Sequence, residues 1–120
     1  MFPPSLLAKL VVSGSLKNNT SGFEFKMKNI IDSATLVGMG PLVVDGNTFA
    51  ADCLTVKLGQ NEIRGDQITR TNALPFRVSN EALISVVGDP LQPGEHKLTI
   101  QVLTREAGRF QFNATQALAE

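Results

Sequence analysis

Apolar and polar residues alternate along several short stretches of the chain. In the stretch GFEFKMK, residues 22–28, the apolar residues at 23, 25 and 27 alternate with charged ones. A period of two places one set of side chains against a core and the other in water, as a half-buried β-strand requires. The same alternation predicts strands at residues 54–58, 98–102 and 110–112. Apolar runs predict further strands at residues 6–12, 35–37, 42–44 and 83–87.

Turn-forming residues separate these stretches. Examples are the segments DGN at residues 45–47, GDP at residues 88–90 and PG at residues 93–94. Gly and Asn accept positive φ angles and Pro fixes φ near the value that turns need. Short strands separated by turns every roughly 8–12 residues indicate a sandwich or a barrel. The sequence therefore predicts an all-β fold, an antiparallel β-sandwich of the Ig-like or jelly-roll-like kind, with residues 1–120 as a single domain.

Composition narrows the classes of partner. The 11 basic and 11 acidic side chains cancel, so the chain lacks the positive surface that drives binding to nucleic acid. No stretch approaches the roughly 20 apolar residues that span a bilayer, and the first residues lack the basic region of a signal peptide. The single cysteine, Cys53, fits a reducing compartment. We expect a cytoplasmic protein that binds neither nucleic acid nor membrane.

The only histidine, His96, lies in LQPGEHKLTIQV, residues 91–102. Ig-like sandwiches carry a corner in which a Tyr after a Pro-Gly turn bonds back to the loop backbone. His96 stands where that Tyr would stand, and an imidazole nitrogen is able to make a comparable bond. Pro93, Gly94 and His96 are therefore predicted to form a structural corner.

Chemistry at His96 is the alternative to this corner. Metal sites take three or four ligands, and a chain with one His and one Cys predicts neither a metal nor a cofactor of its own. A minimal enzyme that pairs His96 with Cys53 or Asp52 remains open, because the sequence does not show whether these residues are close. We predict no catalytic residues.

The N-terminal residues Phe2, Pro3 and Pro4 are the candidate surface for a partner. Most of the other phenylalanines fit the inward-facing alternation of the strands, whereas this Pro-rich start of the chain does not. The chain has no Trp and no Tyr, so stacking of a sugar ring, and with it independent carbohydrate binding, is disfavoured.

Four segments resemble the small β subunit, a domain of unknown function, of bacterial C-glycoside deglycosidases. They are SGSLKN at residues 13–18, SGFEFKMKN at 21–29, GPLVVDG at 40–46 and PGEHKLTIQV at 93–102. They run in the same order over nearly the full chain, although this chain is shorter through the middle and shows no extended insertion.

The resemblance implies a β-sandwich that binds and stabilises a larger, barrel-type α subunit, which carries the divalent metal and the catalytic base. The chain would then be the non-catalytic accessory subunit of a lyase-type deglycosidase. The alternative from a different class is a self-associating structural or assembly domain without a catalytic partner, for which exposed strand edges and the segment Phe2-Pro3-Pro4 would serve as contacts.

Overall fold

The computed structural model describes residues 2–119, in which two antiparallel β-sheets pack face to face. The elements in chain order are α1 (Pro4–Ala8), β1 (Lys17–Asn18), β2 (Gly22–Lys28), β3 (Ala34–Met39), β4 (Leu42–Val44), β5 (Asn47–Phe49), β6 (Leu54–Leu58), β7 (Asn61–Arg64), β8 (Leu74–Phe76), β9 (Glu81–Val87), β10 (Glu95–Thr104) and β11 (Gly108–Ala117). The prediction of an all-β antiparallel sandwich is confirmed.

Each sheet has a long central strand. The first sheet has the order β1-β2-β9-β6-β7, so β9 is its central strand. Strand β2 pairs with β9 along its whole length, from Gly22↔Val87 to Lys28↔Glu81. In the second sheet, β10 pairs with β11 over ten residues and, on other parts of its length, with β3 and β4. Strand β5 extends this sheet beyond β4, and β8 extends it beyond β3.

The core lies between the sheets and follows the period-two pattern. Strand β2 buries Phe23, Phe25 and Met27, while β10 buries Leu98 and Ile100 from the opposite sheet. Full burial of an apolar side chain of this size contributes about 1.5–3 kcal/mol relative to leaving it exposed.

Residues 6–12 do not form the predicted strand. Pro4 occupies the first turn of the short helix α1, where a missing N–H costs nothing, and Leu7 is the buried residue of that helix. The chain becomes extended only afterwards: the Val12 N–H donates to the Lys26 carbonyl at 2.9 Å, and the Lys28 N–H donates to the Leu10 carbonyl at 2.8 Å. An apolar run interrupted once by Lys9 is compatible with a strand or with a helix. The prolines before it favour the helical start that the structure shows.

The segments near the two ends of the described part of the chain meet along one side of the sandwich. Helix α1 packs against β11, and the segment after the helix pairs with the edge of β2. The Ala119 N–H donates to the Leu16 carbonyl at 2.7 Å. None of the helical segments within residues 2–119 has the length and apolar character needed to cross a bilayer.

Candidate functional site

An apolar cavity of about 150 Å³ lies between the two sheets, beside the turn that joins β10 to β11. Strands β2 and β9 contribute Met27, Ala82 and Ile84 to its wall. The wall on the opposite sheet is formed by side chains of β3, β10 and β11, namely Leu36, Met39, Val102, Phe110 and Phe112. The cavity exists because the inward-facing side chains of the two sheets do not fill all the space between them.

Exposed residues of two loops form the rim of this cavity. Asp32 and Ser33 come from the loop between β2 and β3, and Glu106 and Ala107 come from the β10–β11 turn. The Glu106 carboxylate accepts hydrogen bonds from the Thr35 N–H at 2.8 Å and from the Thr35 hydroxyl at 2.7 Å. Both bonds hold the pKa of Glu106 below its usual value, and the bond from the hydroxyl has the larger effect. They also fasten the turn to β3.

The polar side chains in the cavity wall form hydrogen bonds with backbone groups of the protein. Asn29 donates to the carbonyls of Asp32 at 2.7 Å and Phe76 at 2.8 Å. The Thr104 hydroxyl donates to the Gly108 carbonyl at 2.9 Å and accepts from the Ala107 N–H at 3.0 Å. Among residues 2–119, no buried side-chain nitrogen or oxygen lacks a hydrogen-bond partner. The buried wall of the cavity therefore presents mainly apolar surface, and the polar groups at its rim belong to the two loops.

The predicted interface residues Phe2, Pro3 and Pro4 lie close to this cavity. Phe2 is half-buried, lines the cavity and packs against Phe110, with ring centroids 6.0 Å apart. Pro3 and Pro4 are exposed. Phe2 thus belongs to the edge of the core, and a contact of these three residues with a partner stays a prediction.

His96 is buried, with 8% of its surface exposed, at the start of β10. Its Nδ1 lies 2.5 Å from Asp45 Oδ2, and its Nε2 lies 2.7 Å from the Gln92 carbonyl oxygen. Both partners are acceptors, so both ring nitrogens donate when the imidazole is protonated. Burial by itself lowers the pKa of His96, but the bonds to Asp45 and Gln92 outweigh it, and the pKa is raised above 6.5.

Asp45 connects this corner to the turn between β4 and β5. Its Oδ1 accepts from the Lys97 N–H at 2.8 Å, and its own N–H donates to the Lys97 carbonyl at 2.9 Å. The hydrogen bond from the Lys97 amide lowers the pKa of Asp45 below 3.8, and the bond to the His96 ring lowers it further by a smaller amount. The pair therefore clamps the β4–β5 turn onto β10.

Pro93 and Gly94 lie in the loop that precedes this strand. Gly94 has φ of 117° and its carbonyl accepts from the Leu118 N–H at 2.9 Å, so the loop is also tied to the end of the chain. The Asp45–His96 contact was not found from the sequence, in which the two residues are 51 positions apart.

The structure does not join His96 to Cys53 or Asp52. Cys53 ends a 3₁₀ turn, Ala51–Cys53, and is half-exposed; its thiol lies 3.7 Å from Asp52 Oδ1. Both nitrogens of His96 are bonded to Asp45 and Gln92, so neither acts as a base toward this thiol in the structure. Within the described part of the chain, no three His, Cys, Asp or Glu side chains gather as metal ligands.

The fold and the site define an antiparallel β-sandwich with an apolar cavity between its sheets and a buried His–Asp clamp at one corner. The family model described as hydroxymethylglutaryl-CoA reductase, N-terminal domain, matches residues 6–119. The chain therefore belongs to that family. No curated protein matches the chain.

This membership corrects the resemblance drawn from the sequence. The chain is not a β subunit of a C-glycoside deglycosidase, and its interpretation as an accessory subunit of such an enzyme is wrong. The segments behind that resemblance fall on β-strands and their turns: residues 21–29 cover β2, and residues 93–102 cover the start of β10. Alternating patterns of this kind occur in unrelated sandwiches. The alternative of a self-associating assembly domain gains no support from the family match.

Proposed function

We propose that the chain works as a domain of hydroxymethylglutaryl-CoA reductase and packs against the part of that enzyme that carries out the reduction. The observation that carries the proposal is the family match, which extends over residues 6–119 and so covers both sheets. The arrangement of His96 supports a structural role for this chain, because both of its nitrogens are occupied in holding β10.

The surface beside the cavity rim is the best candidate for the contact. Ile30 and Val78 are 42% and 45% exposed, on the β2–β3 and β8–β9 loops. The two loops are tied together next to these side chains, since the Ser79 N–H donates to the Asn29 carbonyl at 2.7 Å. Single exposed apolar residues are normal, but a neighbouring pair on linked loops offers a small apolar centre for a protein contact.

The direct test mixes the full chain with a hydroxymethylglutaryl-CoA reductase polypeptide from the same organism. Light scattering after size-exclusion chromatography measures complex formation, and the consumption of hydroxymethylglutaryl-CoA measures activity with and without the chain. We expect a complex, and we expect the chain to change either the activity of the reductase or the thermal stability of that activity. A specific interface of ordinary size has a dissociation constant below about 10 μM. Absence of a complex at that concentration, together with unchanged activity, would overturn the proposal.

Substitutions on the two ends of the sandwich locate the contact. The variants Ile30→Asp and Val78→Asp are expected to weaken the complex about tenfold or more, because each places a charge in an apolar contact. Val87→Asp is the matched control: Val87 is 60% exposed and ends β9, whereas Val78 precedes that strand. Equal weakening by Val87→Asp would show that the contact lies elsewhere.

We also propose that the protein acts in the cytoplasm. The half-exposed thiol of Cys53 is the support, since free thiols persist in reducing compartments. Cell fractionation with an antibody to the chain tests this, and recovery in an extracytoplasmic fraction would contradict it.

A further inference from the structure

We propose that the cavity between the sheets binds a small, uncharged, apolar molecule of about the size of benzene. The proposal concerns the interior of this chain and does not depend on its association with a reductase. It rests on the volume of the cavity, on the chemistry of its wall and on the charges at its rim.

The volume fits a ligand of that size. Protein interiors are packed like organic crystals and leave few voids larger than a water molecule. The cavity has a volume of about 150 Å³, and its exposed rim gives a guest access to it. An apolar cavity of roughly that volume stays dry and takes up benzene or xenon in a well-studied case. The side chains around an empty cavity forgo dispersion contacts, which an apolar guest restores.

The wall selects an apolar guest. It is built mainly from aliphatic and aromatic side chains, among them Leu36, Ile84, Val102 and Phe112. Its polar members Asn29 and Thr104 are saturated by backbone groups, as described above. A guest with hydrogen-bonding groups would have to desolvate them without compensation, at a cost that an apolar guest does not meet.

The rim disfavours anions. Asp32 and Glu106 both line the mouth, so a carboxylate or phosphate that entered would face like charges. Arg105 stands near Glu106 and offsets part of this field, and the rim therefore gives no net attraction to an anionic guest. An uncharged guest meets neither repulsion at the rim nor a desolvation cost in the interior.

Methionine methyl groups report on the cavity directly. Met27 and Met39 both line it, and the chain has only three methionines. The full chain is labelled with ¹³C at the methionine methyl groups, the two signals are assigned with Met27→Leu and Met39→Leu, and the protein is titrated with benzene and, separately, with benzoate. We expect saturable shifts of both signals with benzene and none with benzoate, the same ring with a negative charge.

A filled cavity supplies the second arm. Ala82→Leu adds volume inside the cavity and is expected to weaken benzene binding about tenfold or more by occupying the same space. Ala50→Leu makes the same change at an exposed position and is expected to leave binding unchanged. Absence of saturable shifts in the unmodified protein, equal shifts with benzoate, or unchanged binding in folded Ala82→Leu would each overturn the proposal. If Ala82→Leu does not fold, the comparison of benzene with benzoate decides.

Discussion

His96 shows what a local pattern reveals about one residue and what it leaves hidden. The Pro-Gly turn before an alternating strand pointed to a corner, and His96 does bond to Gln92, four residues earlier in that loop. Its other partner, Asp45, comes from a different hairpin and becomes a neighbour only when β4 pairs with β10. Local spacing carries information about the first contact and none about the second, so the ion pair is a product of the tertiary fold.

The His96–Asp45 pair makes stability depend on pH. His96 has a raised pKa, so its contribution is fully present below pH 6.5, its unfolded value, and is lost as the pH rises through the folded value. Asp45 has a lowered pKa, so its contribution is present above pH 3.8 and is lost as the pH falls through the folded value. The clamp is therefore strongest between these two values.

The unmodified protein is expected to lose stability as the pH rises through the pKa of His96; this loss is the alkaline limb of the dependence. We expect the Asp45→Asn variant to remove most of it. Between about pH 6 and pH 9 the unmodified protein should lose about 1 kcal/mol of unfolding free energy relative to Asp45→Asn, a modest figure because the Asp45 side chain is 43% exposed. Urea unfolding at a series of pH values measures this. Asp66→Asn, which removes the exposed pair with Arg64, is the control and should keep the alkaline limb. An identical pH profile in Asp45→Asn would show that the pair contributes nothing.

At the level of elements, long strands with one buried face were predictable and short edge strands were not. The alternation at residues 22–28 gives the bounds of β2, and the predicted strand at residues 42–44 is β4. The predicted cores of β10 and β11 were too short, because these strands continue into less regular positions. Strands β1, β5, β7 and β8 have two to four residues, too few for a period to be visible, and they exist because a neighbouring strand offers hydrogen bonds.

Helix α1 is too short to be stable by itself and is held by the side chain that it buries. Leu7, 8% exposed, belongs to the core, whereas Leu6 in the same helix is only half-buried. We expect Leu7→Ala to lower the unfolding free energy by about 2–3 kcal/mol and Leu6→Ala by about 1 kcal/mol or less. Denaturant unfolding of both variants measures the difference, and equal effects would contradict the packing described for α1.

Gly22 is required where β2 passes the end of β9. A Cβ at this position would lie 2.2 Å from the Val86 carbonyl oxygen, and backbone atoms of Gly88 are also within 3 Å. The backbone cannot yield without breaking the pairing of the two strands, so Gly22→Ala is expected to cost about 3 kcal/mol or more.

Gly59→Ala is the comparison for this substitution. Gly59 has φ of +63° and nothing within 4 Å of the added atom, so only the backbone conformation resists the change, at about 1–2 kcal/mol. Thermal unfolding of the two variants separates steric exclusion from backbone strain. A smaller loss for Gly22→Ala than for Gly59→Ala would contradict the close approach of β2 and β9.

At the scale of the whole molecule, the pattern of the sequence determines which side chains face inward but not how well two sheets fill the space between them. Ala82 lies opposite Met27 on neighbouring strands, and both face the cavity. The space left beside Ala82 depends on side chains of β3, β10 and β11, whose positions relative to β9 are fixed only by the fold. For the same reason, neither the cavity nor membership of the reductase family follows from an alternation that many sandwiches share.

Both sheets draw on one hydrophobic core, which predicts that they unfold together. Phe25 from the first sheet and Ile100 from the second are each at most 1% exposed and belong to the same buried cluster, which also includes Leu7 of α1. Loss of either sheet would expose the buried face of the other, so partial unfolding has little to stabilise it. We expect amides in the middle of β2 and of β10 to exchange with solvent through the same global opening, with equal free energies that fall in parallel as urea is added. Two separate exchange free energies would contradict the prediction that residues 1–120 form a single domain, and the more stable sheet would then be the part that folds by itself.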